Sequence, residues 1–86
     1  MKSKDHIKKK IYVLELKYQI HLEECSNPFI IMQIGIILNV LEWSSNKSQN
    51  EILNKLNHVK QDSNQYAKYI GFAEGITITT LEWILK

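Results

Sequence analysis

The stretch Gly75-Ile76-Thr77-Ile78-Thr79-Thr80 decides the fold class. Its β-branched residues alternate with polar ones, which in isolation reads as a strand. The Ile-rich run from Ile30 to Val40 could supply a second strand, and the two together would make a small α+β fold. Helical spacing argues the other way. Tyr66, Ile70, Ala73, Thr77 and Ile84 fall on one helical face, and no Gly-Pro or Asn-Gly turn interrupts them. A helix from about Ser63 to Leu85 is therefore expected, and with it an all-α four-helix bundle; the small α+β fold is the alternative.

Upstream, three further helices can be drawn. The first runs from about Asp5 to Cys25, with Ile7, Ile11, Leu14, Tyr18, His21, Leu22 and Cys25 along one face. Tyr12, Val13, Leu16 and Ile20 form a second apolar group on the opposite side. One domain can cover one face; the other asks for a further helix or a second molecule. Asn27 and Pro28 suit the cap and first position of a second helix, about Pro28 to Trp43, which is apolar almost all round and belongs at the centre. Ser48-Gln49-Asn50-Glu51 has the form of a capping box and opens a third helix with Ile52, Leu53, Leu56 and Val59 inward. Asp62-Ser63-Asn64-Gln65 is a further start signal and predicts a bend or break near Gln61.

An internal echo joins the two halves. Gly35-Ile36 and Leu41-Glu42-Trp43 recur 40 residues later as Gly75-Ile76 and Leu81-Glu82-Trp83; Leu16 and Leu56, and Ile30 and Ile70, match at the same offset. Duplication of a helical hairpin would produce this, and so would chance convergence of two buried helices.

At 86 residues the chain reads as one domain, 1–86, with residues 1–5 flexible. A chain this short has to build an efficient core or share one. Its 44% hydrophobic and 23% charged content is that of a globular protein. A lone Cys25 allows no internal disulfide and fits a reducing, cytoplasmic setting. No cleavage site follows an apolar core, and the most apolar stretch, Pro28 to Leu41, is shorter than the roughly 20 residues a bilayer crossing needs. No membrane association is expected.

Residues 1–10 hold five lysines against Asp5, whereas the rest holds six against eight acids. Lys4, Lys8, Lys9 and Lys10 are the candidate nucleic-acid contacts. However, the chain has no Arg to read base edges, and Lys8, Lys9 and Lys10 point to three sides of a helix with no aromatic ring interleaved. A solvated lysine-rich segment is the plainer expectation.

Catalytic chemistry finds little footing. His21 and Cys25 are four apart with Glu23 and Glu24 beside them, a spacing that could hold part of a metal site. Continuation of the apolar face explains the same residues without a metal. The same pair as a nucleophile and base lacks a Gly-rich turn nearby for an oxyanion hole. No phosphate-binding glycine loop occurs, and no cofactor is expected. Gly71 and Gly75 suggest a close helix approach, with Gly35 playing that part on the second helix. Trp43 and Trp83 are core edges or binding anchors.

The segment Tyr69-Ile-Gly-Phe-Ala-Glu-Gly-Ile-Thr-Ile-Thr-Thr-Leu-Glu-Trp-Ile-Leu, 17 of 86 residues, resembles the closing helix of small uncharacterised helical accessory proteins of phages and low-GC bacteria. Those often end in an aromatic-X-Gly run leading to Leu-X-Trp-Val/Ile-Leu. The likeness implies a phage or mobile-element accessory protein and carries no chemistry.

Absent catalytic motifs and surplus apolar surface together point to a non-enzymatic protein that covers a surface of a larger protein partner, as an inhibitor, immunity protein or adaptor. Tyr12, Leu16, Trp43 and Trp83 are the candidate contacts. A nucleic-acid-associated protein and a self-associating protein, most simply a homodimer, are the other two possibilities.

Overall fold

The computed structural model describes residues 1–24, 27–65 and 71–86, with the backbone alone for 62–65. It is all-α. Helices α1 (Lys4–Glu23), α2 (Pro28–Ser44), α3 (Gln49–Gln65) and α4 (Phe72–Leu85) are joined by short connectors, and no strand occurs among the described residues.

The Ile-Thr run is helical, and its threonines show how. Thr77, Thr79 and Thr80 donate their hydroxyls to the carbonyls of Ala73, Gly75 and Ile76, one turn back, at 2.8, 2.9 and 2.7 Å. Their polar atoms are thus satisfied inside the helix, which leaves the methyl groups free to pack.

Most start signals work as the sequence implies. Asn27 Oδ1 accepts from the Phe29 N–H at 2.9 Å, with Pro28 at the head of α2. Ser48 and Glu51 close their box: Ser48 Oγ accepts from the Glu51 N–H and Glu51 Oε1 from the Ser48 N–H, both at 3.3 Å. One boundary differs. Of the bend or break expected near Gln61, the break does not occur: α3 continues to Gln65 and α4 begins at Phe72. The extended Gly71 (φ −66°, ψ 152°) opens α4 there, so a late glycine prevails over the Asp62-Ser63-Asn64-Gln65 signal. Tyr66 and Ile70 of the expected fourth helix lie outside the described residues.

Helix α2 packs against α1 on one side and α4 on the other, and α4 packs against α3. One core runs through all four, built from Ile7 and Leu14 of α1, Ile34, Leu38 and Leu41 of α2, Ile52 and Leu56 of α3, and Leu81 and Ile84 of α4. The whole is a flattened bundle measuring 37 × 35 × 16 Å over Cα atoms, about two helices thick.

The two hairpins, α1–α2 and α3–α4, correspond at a set of positions, with an offset of 45 residues between α1 and α3 and 40 between α2 and α4. Ser3 and Ser48 cap α1 and α3. Ile7 and Ile52 are both fully buried, as are Leu41 and Leu81. The Lys2 N–H donates to the Ile84 carbonyl at 2.7 Å, and the equivalent Lys47 N–H donates to the equivalent Ser44 carbonyl at 3.0 Å. Lys2 and Lys10 lie over the Trp83 ring at 5.1 and 5.9 Å; Lys47 and Lys55 lie over Trp43 at 5.5 and 5.9 Å. Each half gives the other what it receives, as about an approximate two-fold axis. The uniform offset of 40 is thereby corrected for the first helices. Leu16, matched to Leu56 by that offset, is half exposed, whereas Leu56 is buried.

Candidate protein-binding face

Helix α1 buries Ile7 and Leu14, and half-buries Ile11 and Tyr18, against the core. Its other side faces away. There Tyr12 is 65% exposed, Leu16 50%, Ile20 49% and Val13 44%. At 100° per residue these four project into one sector, with Lys9 and Glu23 in line beyond its two ends. Both flanking residues are exposed.

The equivalence of the halves provides an internal comparison for this face. Adding 45 to each position gives Asn57, His58, Gln61 and Gln65 on α3. Asn57, His58 and Gln61 are exposed, like their counterparts on α1. Thus the same helical face points outward in both halves, polar on α3 and apolar on α1. The fold itself does not require apolar groups there, since α3 does without them. Burying the remainder of each of the four α1 side chains would contribute roughly 1 kcal/mol apiece.

Total exposure points the same way. The chain exposes 5988 Å², against about 5,300 Å² for an average compact monomer of its mass.

The tryptophans stand differently. Trp83 is half-buried against the core, its ring edge-on to His6 at 5.5 Å and crossed by Lys2 and Lys10. Trp43 is 37% exposed and stands between Lys47 and Lys55 at the mouth of a cleft of about 420 Å³, which α2, α3 and α4 line. Neither ring joins the α1 face, so the four candidate contacts fall in two places, with Tyr12 and Leu16 together. The sequence reading grouped Val13 and Ile20 with them but did not single them out as contacts; the signal was their shared sector.

Lys4, Lys8, Lys9 and Lys10 are all exposed on α1. Lys10 is turned to Trp83, and the four do not form one stripe. Lys2, within the stretch expected to be flexible, is bonded to Ile84, and Ser3 caps α1.

The expected close approach at the glycines is not found. Among the described residues a Cβ on Gly75 would meet nothing within 4 Å, and one on Gly35 would make an ordinary 3.8 Å contact with the Tyr18 ring. Gly71 lies outside the helix as its cap, where a Cβ would press on the Glu74 carboxylate. No group of three or more His, Cys, Asp or Glu side chains suited to a metal occurs among the described residues, and Cys25 lies outside them. Among the described residues no helix is long and apolar enough to cross a membrane.

No family model, curated protein or solved structure matches the chain.

Proposed function

We propose that this is a non-enzymatic protein-binding accessory protein, and that it acts by burying the outer face of α1 against another polypeptide. The observation that carries this is the contrast between Tyr12, Val13, Leu16 and Ile20 on α1 and the polar residues at the equivalent positions of α3. In its inhibitor or adaptor form the protein lays a rigid apolar helix on a larger partner, with Tyr12 and Leu16 as the central contacts. The likeness of its closing segment to phage accessory proteins is consistent with such a role.

The test is capture from lysate of the native host at high salt, comparing the tagged wild type with Leu16→Lys. Leu16 is outside the core, so helical content should be unchanged. A stoichiometric polypeptide held by the wild type and lost by the variant is expected, whether it is a larger protein or an untagged copy. Equal capture by both, or none by the wild type, would contradict the proposal.

A further inference from the structure

The α1 face has a charge order that specifies an occupant. Along the exposed sector the sequence runs Asp5, Lys9, then Tyr12 and Val13, then Leu16, then Ile20, then Glu23, and Asp5 alone, at the end, has no counterpart within α1 in the pairing that follows. Positions whose numbers add to 32 are complementary in pairs: Lys9 with Glu23, Tyr12 with Ile20, and Leu16 with itself. An antiparallel copy of the helix, related by a two-fold axis at Leu16, would set Lys9 against Glu23, Tyr12 against Ile20 and Leu16 against its own copy, with Val13 beside Gln19. A parallel copy would set Lys9 on Lys9 and Glu23 on Glu23. The order therefore selects the antiparallel arrangement and disfavours the parallel one.

We infer that the α1 face takes the α1 face of a second copy, packed antiparallel about Leu16. This rests on the protein-binding reading above and names its partner. The two-fold at Leu16 is separate from the approximate axis that relates the two hairpins within one chain. Because a single pair of helices provides less than a standard interface, the dimer should be concentration-dependent, dissociating in about the 10–100 µM range.

Sedimentation equilibrium from low micromolar to high micromolar concentration tests it, with wild type, Lys9→Glu, Glu23→Lys, the double charge exchange and Leu16→Lys. The wild type should shift from 10.1 kDa to twice that mass. Each single charge reversal should weaken the dimer by roughly tenfold, since it affects two symmetric contacts. The double exchange should restore it, and Leu16→Lys should abolish it. A wild type that stays monomeric overturns the self-pairing; if Leu16→Lys still abolishes capture of a larger protein, the broader reading stands. Equal weakening by the double exchange overturns the antiparallel order. A dimer indifferent to Leu16→Lys overturns the self-pairing, and where capture too is unchanged, the α1 face falls with it.

Discussion

The backbone N–H of Lys2 donates to the carbonyl of Ile84 at 2.7 Å, fastening the lead-in to α1 onto the last turn of α4. That carbonyl is among those a helix leaves unpaired at its C-terminal end. Beside this bond the Lys2 side chain lies over the Trp83 ring at 5.1 Å.

Lys2→Pro removes the donor and keeps the chain length. It should cost about 1 kcal/mol, or roughly 4–8 °C in Tm for a domain of this size. Lys2→Ala keeps the N–H and loses only the cation over the half-buried Trp83 ring, roughly 0.5 kcal/mol. Thermal melts followed by circular dichroism separate the two; equal melting temperatures would mean that the bond contributes nothing.

Equivalence of the halves predicts equal costs at matched positions that are buried to the same degree. Ile7→Ala and Ile52→Ala each remove a fully buried side chain, and each should cost about 2–5 kcal/mol. The two values should agree within about 1 kcal/mol in urea denaturation. Leu16→Ala and Leu56→Ala, paired only by the uniform offset, should differ by more than 1.5 kcal/mol, with Leu56 the costlier because it alone is buried.

Gly75 lies within α4 with open space where a Cβ would stand. Gly75→Ala should raise stability by about 1 kcal/mol through helix propensity and a less flexible unfolded chain. A loss of stability would show that a close neighbour does pack on this position.

The tryptophans should separate under substitution. Trp83→Ala takes a ring from the core edge together with its contacts to His6, Lys2 and Lys10, and should cost about 3 kcal/mol. Trp43→Ala, at the cleft mouth, should cost about half as much. A larger loss at Trp43 would invert their roles.

The helices themselves were legible because their signals are local: the Asn27-Pro28 start, the Ser48–Glu51 box and the spacing of apolar residues. The Ile-Thr run was ambiguous because β-branching favours strands, and only the one-turn-back hydroxyl bonds at Thr77, Thr79 and Thr80 show how a helix accommodates it. The end of α3 was misplaced since Asp62-Ser63-Asn64-Gln65 can cap or continue a helix equally well, and a nearby Gly71 was read as helix interior. The second apolar face of α1 was visible from periodicity alone. What the sequence did not reveal was the 45-residue match of α1 to α3, because α3 and α4 are shorter than α1 and α2 at the ends that face each other, which moves the offset from 45 to 40 within the hairpin and hides it. That match is what makes Tyr12, Val13, Leu16 and Ile20 comparable with Asn57, His58, Gln61 and Gln65.

Transplanting the α3 residues onto α1 tests the central claim most directly. A chain carrying Tyr12→Asn, Val13→His, Leu16→Gln and Ile20→Gln changes only exposed positions to residues the equivalent helix already carries. Sedimentation mass and partner capture would be measured on this chain beside the wild type, with circular dichroism to follow the fold. Unchanged helicity, stability within about 1 kcal/mol of wild type, a 10.1 kDa monomer at every concentration and no captured polypeptide are expected. Unfolding of the variant, or association as strong as that of the wild type, would contradict the claim.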